Sequence, residues 1–162
     1  MDKLQKQINF LIEIDKMKSI FRQSLLSDSS RHENDAEHSW HLCMYATVLE
    51  EYANPGTDML KVLKMLLVHD LVEIYAGDTY LYDADGNKTK ADREKKAADK
   101  LYPMLGEQGA ELRALWEEFD ECESTESKFA NGLDRLQPIM LNYLTKGEMW
   151  LKNKVHKSDV LE

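Results

Sequence analysis

Two histidines and two aspartates lie where the spacing of apolar residues marks a position as inward. His38 begins the apolar stripe of one predicted helix, and Asp134 lies in the middle of another. The pair His69-Asp70 ends the most hydrophobic helix of the chain. Buried carboxylates without partners are costly. A divalent cation would balance both carboxylates and bind both imidazoles, so the pattern indicates a metal site.

Two nitrogen and two oxygen ligands suit Mn, Fe, Co, Ni or Zn better than Ca. Four protein ligands on an octahedral ion leave positions for water and for a substrate oxygen, as metal-assisted hydrolysis requires. A single histidine, or an aspartate at a helix end, is commonly a hydrogen-bonded structural residue instead. Four such residues pointing into one small core favour the metal. The sequence contains no GxSxG, GxGxxG, GxxxxGK or HExxH motif that would indicate another chemistry.

The elements that must position these residues are predicted to be helices. Apolar residues recur at helical spacings, and seven glycines and three prolines in 162 residues favour long helices. Asn34 and Glu37 resemble a capping box, and no alternating strand pattern is found. The sequence predicts an all-α, single-domain helical bundle. Its predicted helices cover residues 3–22, 34–53, 58–75, 89–105, 112–119 and the chain from 125 onward, with a loop over 24–32 and a turn over 83–87.

Charge and cysteine content exclude several functions. The chain has 21 Lys and Arg against 30 Asp and Glu, a formal charge of −9. Nucleic acids and anionic membranes would repel such a chain, so no nucleic-acid polymer and no membrane are expected as partners. Cys43 and Cys122 form neither a zinc motif nor a disulfide framework. The chain start lacks the apolar run of a signal peptide, and we expect a soluble, cytoplasmic protein.

Three segments together resemble a known family. They read RHENDAEHS over residues 31–39, HDLVEIYAGDT over 69–79 and KFANGLDRLQP over 128–138. This H…HD…D pattern is similar to the HD-domain metal-dependent phosphohydrolases, in the branch of the bacterial 5′-deoxynucleotidase and HD-domain-containing protein 2. The resemblance extends from about residue 3 to about residue 150. It implies one HD domain over residues 1–162, truncated at its C-terminal end.

The resemblance also implies roles for individual residues. One divalent ion (Mn, Co, Fe, Ni, Mg or Zn) would be held by the four candidate ligands, His38, His69, Asp70 and Asp134. Glu73 and Asp78 would act on the attacking water, or would hold a second cation together with Thr79.

Basic residues are the candidates for binding substrate phosphate. The resemblance implies that Arg22 orients the phosphate, and Gln23 stands where the deoxynucleotidase has Trp. Arg31 would either contact phosphate or pair with Glu33. A further basic run is expected to be a solvated face, with one member within possible reach of the phosphate. Its members are Lys88, Lys90, Arg93, Lys95 and Lys96.

The function implied is hydrolysis of nucleoside 5′-monophosphates to nucleoside and phosphate, with deoxynucleoside 5′-monophosphates as the expected substrates. Two alternatives remain: hydrolysis of another phosphate ester such as a signalling nucleotide, or a non-catalytic metal- and nucleotide-binding sensor module. The partner in each case is a small phosphorylated molecule. A homodimer is expected from the resemblance and because large apolar residues near the chain end exceed the inward stripe of the last long helix. These are Met140, Tyr143, Met149 and Trp150.

Overall fold

The computed structural model describes residues 1–161, and most of them are α-helical. The prediction of an all-α fold is confirmed, because the β-structure in this range is limited to two short strands. Glu162, the last residue of the predicted HD domain, lies outside the described residues. The helices are α1 (Lys3–Ile14), α2 (Asp35–Val48), α3 (Met59–Val68), α4 (Glu73–Ala76), α5 (Ala84–Leu101), α6 (Glu107–Glu121), α7 (Thr125–Leu144), α8 (Glu148–Lys152) and α9 (Lys157–Leu161).

A small hairpin replaces part of the predicted first helix and the loop after it. Strands β1 (Phe21–Leu25) and β2 (His32–Asn34) pair antiparallel. The prediction of a helix through residue 22 is therefore wrong, since α1 ends at Ile14 and a 3-10 turn follows over Asp15–Ser19. Strand β1 has no apolar–polar alternation, because the three residues between Phe21 and Leu25 are all polar, and β2 has fewer residues than such a pattern needs. The hairpin places the side chain of Arg22 against the helices.

The start of α2 follows the predicted capping box. Asn34 Oδ1 accepts a hydrogen bond from the Glu37 backbone N–H at 2.9 Å, and Glu37 Oε2 accepts one from the Asn34 N–H at 3.2 Å. These bonds satisfy two backbone donors that a helix start leaves free. The box therefore fixes the first turn of α2, which carries His38 into the core.

The predicted helix over residues 58–75 is broken at its most polar point. Helix α3 ends at Val68 and α4 begins at Glu73. Between them the Leu71 N–H donates to the carbonyl of Val68 at 3.0 Å, and the Glu73 N–H donates to that of Asp70 at 2.9 Å. Bonds between residues three apart tighten the backbone. His69 and Asp70 consequently lie in a tight turn between two helices.

The predicted turn over residues 83–87 is the first turn of α5. Asp83 Oδ1 accepts hydrogen bonds from the N–H groups of Asp85 at 3.2 Å and Gly86 at 3.0 Å, so Asp83 is the N-cap. This cap outweighs the low helix propensity of the Asp, Gly and Asn residues that suggested a turn. A side chain at residue 86 would also collide with the cap, because an added Cβ would lie 2.6 Å from Asp83 Oδ2.

Two apolar clusters hold the helices together. One joins α1, α5 and α6 around Leu101, Tyr102 and Trp116. The other joins α2, α3 and α7, and each of these helices runs from the cluster to a candidate ligand within about one turn. Its buried members are Leu42, Ala46, Val62, Leu66, Ala130 and Leu133.

Within residues 1–161, no helix has both the length and the apolar character needed to cross a bilayer. The cytoplasmic location stays a prediction.

Candidate metal centre and active site

The four candidate ligands converge although they come from distant parts of the chain. Asp134 Oδ1 lies 2.9 Å from His38 Nε2 and 3.7 Å from His69 Nε2. Asp70 Oδ2 lies 3.1 Å from His69 Nε2 and 3.9 Å from His38 Nε2. Both imidazole rings are buried. His38, His69 and Asp134 thus offer ligand atoms within 4.8 Å of one another, and Asp70 lies beside both imidazoles.

This arrangement fits a divalent cation. Ligands at about 2.1 Å from an ion, at right angles to each other, are about 3 Å apart, and the separations above are of that order. His69 Nδ1 lies 2.9 Å from the carbonyl of Leu66 and donates to it, so in the neutral ring, the form that binds a metal, Nε2 carries the free electron pair. That Nε2 is buried and makes no hydrogen bond within the described residues. A cation would satisfy it.

Without a cation, protons balance the charges of the cluster. Burial opposes a charged His69, but the carboxylates of Asp70 and Asp134 override it and raise the pKa of His69 to about 10. Burial would raise the pKa of Asp70, yet His69 and Arg22 hold that pKa below its usual range. The cluster is therefore built to contain positive charge, as protons on imidazole or as a metal ion.

A second cluster contains the carboxylates of Asp35, Glu73 and Asp78, and it is the second carboxylate group of the site; the first is the pair Asp70 and Asp134. One oxygen of each residue in the second group lies within 4.8 Å of the others. Burial, then Asp70, raises the pKa of Asp35 to about 7. Burial and the neighbouring carboxylates also raise the pKa of Glu73 well above its usual value. This site could accept a proton or hold a cation.

Asp35 was not predicted as a site residue from sequence. It is fully buried, and both of its carboxylate oxygens are free of hydrogen bonds within the described residues. A signal was present, because Asp35 lies three residues before His38 and therefore on the same helical face. An acidic residue in the first turn of a helix is also common, because it interacts favourably with the helix dipole. Its position alone therefore did not distinguish Asp35 as a site residue.

Arg22 lies between the two groups, as the resemblance implies for a residue of the site. Its Nη1 donates to Asp70 Oδ2 at 2.7 Å and lies 3.5 Å from Asp35 Oδ1. The guanidinium is largely buried, with 15% of the side chain exposed. Arg22 is the cation that joins the two carboxylate groups.

Arg31 is held away from the site. It forms a two-pronged ion pair with Glu37, with its nitrogens 2.6 and 2.9 Å from the carboxylate oxygens. About half of its side chain is exposed, and it does not line the cavity described below. The partner is Glu37 rather than the expected Glu33. We therefore do not include Arg31 in the proposed site.

The loop that carries Asp78 and Thr79 is braced by Arg93. The Arg93 guanidinium donates to Thr79 Oγ1 at 2.7 Å, to the carbonyl of Gly86 at 3.3 Å and to the carbonyl of Ala76. Arg93 was predicted to belong to a solvated basic face. Its hydrogen bonds instead join the end of α4 and the loop residue Thr79 to α5.

A cavity of about 590 Å³ opens over both carboxylate groups. Lys90 lines it and was not assigned a specific role from sequence. Its Nζ lies 3.6 Å from Glu94 Oε1, too far for a hydrogen bond, and the ammonium also faces the field of Glu73 and Asp70. Lys90 therefore brings to the cavity an ammonium that forms an ion pair with Glu94 but no hydrogen bond to it.

The chain's last helices close the other side of the cavity. Trp150 on α8 and Val160 on α9 line it, together with Tyr82. Met149 is buried, with 3% of its surface exposed. Met149 and Trp150 are thus used within the chain, and only Met140 and Tyr143 of the expected surplus apolar residues are exposed.

Comparison with known proteins gives concordant results. A family model described as the HD domain matches residues 14–162. A crystal structure of a predicted metal-dependent phosphohydrolase from Magnetospirillum magnetotacticum is similar, with 47% identity and a TM-score of 0.94, covering 98% of this chain and 80% of that one. A conserved hypothetical protein from Pyrococcus furiosus has a similar fold, with a TM-score of 0.67 at 24% identity, covering 96% of this chain and 99% of that one.

Two curated relatives have a named activity. The 5′-deoxynucleotidase HDDC2 of Dictyostelium discoideum is 30% identical over 130 residues, which are 76% of this chain and 68% of that protein. The human 5′-deoxynucleotidase HDDC2 is 28% identical over 135 residues, which are 82% of this chain and 65% of that protein. The alignments thus span about two thirds of the length of these relatives.

Proposed function

Because this chain belongs to the HD-domain family, we propose that it is a metal-dependent phosphohydrolase that releases phosphate from nucleoside 5′-monophosphates. The observation that carries the proposal is the meeting of two imidazoles and two carboxylates beneath a cavity, with separations of 2.9 to 3.9 Å. The second carboxylate group beside them supplies the general base that hydrolysis needs.

A divalent ion held by the four candidate ligands would polarise a phosphate oxygen and lower the pKa of a bound water. Mn, Co, Fe, Ni, Mg and Zn are the candidates. The side chains of the protein accept the proton, orient the water and bind the phosphate.

Glu73 is the proposed acceptor of the proton of the attacking water. Burial and the neighbouring carboxylates raise its pKa, so Glu73 holds a proton more tightly than an exposed carboxylate does, as a general base must. Asp78 lies next to it and orients the same water. In the alternative arrangement Glu73 and Asp78, with Thr79 and now Asp35, hold a second cation, and the variants described in the Discussion distinguish the two.

Positive charge must offset the phosphate, because the surrounding carboxylates would otherwise repel it. Arg22 is the first candidate, since it lies between the two carboxylate groups. Lys90 is the second, since it lines the cavity and its ion pair with Glu94, at 3.6 Å, leaves the N–H donors of the ammonium without a hydrogen bond to that carboxylate.

The named activity of the two relatives supports a nucleoside 5′-monophosphate as substrate, and a deoxynucleoside 5′-monophosphate is the first candidate. The test is phosphate release from deoxyribo- and ribonucleoside 5′-monophosphates and 3′-monophosphates, with Mn, Co and Mg each added to metal-free protein. We expect turnover of the 5′-monophosphates. Turnover of another phosphate ester alone would replace the substrate class. Metal and nucleotide binding without any turnover would favour a sensor module.

A homodimer is proposed as the assembly. The support from the structure is the exposure of two large apolar residues on α7: 38% of Met140 and 74% of Tyr143 are accessible. Leu144 on the same helix is exposed as well, at 52%, and clustered apolar surface often marks an interface.

A further inference from the structure

The two candidate histidine ligands are oriented in different ways. His69 donates from Nδ1 to a backbone carbonyl, that of Leu66. His38 Nδ1 instead lies 3.0 Å from the side-chain oxygen of Gln137. The Gln137 amide nitrogen in turn donates to Glu33 Oε1 at 2.6 Å. A buried chain of three side chains therefore begins at His38 and ends on a carboxylate.

This series of hydrogen-bonded side chains is buried in the protein. His38 and Gln137 are fully buried, and Glu33 is 2% exposed. Gln137 lies three residues after Asp134 on α7, so one face of this helix presents both a candidate ligand and the contact to His38. Glu33 belongs to β2, directly before the cap of α2. The chain thus connects three elements that must be in register for the metal centre to form.

The chemistry of the donors and acceptors fixes the direction of each hydrogen bond in this series. A carboxylate can only accept, so Glu33 requires the NH₂ group of Gln137 to face it. The Gln137 oxygen must then face His38, and an amide oxygen also only accepts. His38 Nδ1 must therefore carry a hydrogen. In the neutral ring, the form that binds a metal, this leaves the electron pair on Nε2; without an ion, a protonated Nε2 donates to Asp134 Oδ1 at 2.9 Å.

We propose that Gln137 and Glu33 are positioning residues that hold His38 in the ring orientation and tautomer needed for binding the metal ion. Neither residue contacts substrate. Glu33 acts through Gln137 because its free oxygen, Oε2, lies 3.6 Å from His38 Nδ1, beyond hydrogen-bonding distance. The inference rests on the metal site of the proposed function but assigns a role to two residues outside it.

The experiment measures metal binding rather than turnover. Metal-free protein is titrated with Co²⁺ by calorimetry, and the visible absorption of the Co²⁺ form reports the ligand geometry. In Gln137→Met, which has similar length and no hydrogen-bonding amide, we expect affinity to fall about 10- to 100-fold, the usual effect of removing such a partner. The absorption bands should shift as well.

A conservative pair at the far end separates positioning from folding. Glu33→Gln keeps an oxygen that accepts from Gln137, so its affinity and spectrum should stay close to wild type. Glu33→Met has no such oxygen and should resemble Gln137→Met. Leu141→Ala, a truncation at another buried position of α7, should lower the melting temperature but leave the Co²⁺ affinity and spectrum unchanged.

The tautomer can also be observed directly. In the Zn²⁺ form, ¹H–¹⁵N correlation spectra of the imidazoles should show the hydrogen of His38 on Nδ1. A hydrogen on Nε2, or wild-type affinity in both methionine variants, would overturn the proposal. If one methionine variant does not fold, the other still provides the comparison. Wild-type protein that binds no metal would refute the proposed function itself, which is a distinguishable result.

Discussion

At His69 two opposing influences meet. Burial disfavours the charged imidazole, while the adjacent carboxylates of Asp70 and Asp134 favour it, and the carboxylates prevail. A metal ion needs the neutral ring as its ligand. The protein without metal therefore holds a proton where the ion will bind, and metal affinity is coupled to pH.

We expect metal binding to release at least one proton at pH 7. The pKa of His69 is raised to about 10 in the metal-free protein, so the ring is protonated there and must lose its proton to bind the ion. Apparent affinity should rise about tenfold per pH unit for one released proton. Calorimetry at pH 6 to 8, in two buffers of different ionisation enthalpy, measures this. Affinity independent of pH would contradict it.

The same shift predicts a stability change in the metal-free protein. A histidine whose pKa is raised on folding stabilises the protein fully below the ordinary pKa of about 6.5. That stabilisation is lost as pH rises toward the folded pKa of about 10. The melting temperature of metal-free protein should thus fall over this interval, and saturating metal should reduce the fall.

Glu73→Gln should separate binding from chemistry. The amide keeps the shape of the side chain and removes the basic oxygen, so turnover should fall roughly 10²- to 10⁴-fold while metal content stays near wild type. Elemental analysis and phosphate release measure the two quantities. Glu118→Gln is the matched control, because Glu118 lies outside the cavity and pairs with Lys61.

Two results would change this mechanism. Unchanged turnover would make Glu73 a structural residue. Loss of a metal ion together with turnover would favour the arrangement in which the second carboxylate group holds a second cation.

Lys90→Met should weaken substrate use without altering metal content. One charge-assisted hydrogen bond to phosphate is worth about 1.5–3 kcal/mol, so kcat/KM should fall roughly 10- to 100-fold. Lys88→Met is the control, because Lys88 pairs with Asp85 at the surface and 73% of its side chain is exposed. Equal kinetics for the two variants would remove Lys90 from the site.

Among the elements, α2 connects local stability to the metal centre most directly. Its capping box precedes His38 by one turn. Helix α1 has a comparable cap, in which Asp2 accepts a hydrogen bond from the Gln5 N–H at 2.7 Å, but α1 carries none of the four candidate ligands. The two caps therefore allow a matched comparison.

Asn34→Ala should lower the free energy of unfolding by about 1 kcal/mol, the usual value of an N-cap. Because frayed residues at the start of α2 would loosen His38, Co²⁺ affinity should fall as well. Asp2→Ala should cost at most a similar amount of stability and leave Co²⁺ affinity unchanged. Chemical denaturation and calorimetry measure the two effects. Identical metal affinity in both variants would show that the cap of α2 is only structural.

At the scale of the whole molecule, the protein is acidic, and two of its basic side chains lie where the carboxylates of the site converge. Arg22 and Lys90 both line the cavity, within a protein of formal charge −9. A phosphorylated substrate is therefore attracted by local charge only. The exposed Met140 and Tyr143 of α7 do not line this cavity.

Light scattering at tens of micromolar should give the mass of a dimer. Tyr143→Glu should shift the mass toward the monomer, because it introduces a charge at a residue that is 74% exposed on α7. Leu60→Glu, at a residue 63% exposed on α3, is the control. A monomer mass for wild type would refute the dimer, and a dimer in Tyr143→Glu would place the interface elsewhere.

The sequence by itself determined the helical class and the four candidate ligands as a group. Helical periodicity places His38 and Asp134 on inward faces, and these positions depend on spacing within a single element. The capping box of α2 was predicted correctly for the same reason, since both its partners lie within four residues. Local rules identify such features.

Only the tertiary structure decided which other polar residues join the site. Arg22 and Arg31 flank the same hairpin, yet one lies against Asp70, 48 positions away, and the other pairs with Glu37 outside the cavity. Asp35 and Lys90 resemble ordinary surface charges by local criteria. Their contacts depend on how β1, α2, α4 and α5 pack, and packing between distant elements has no period along the chain.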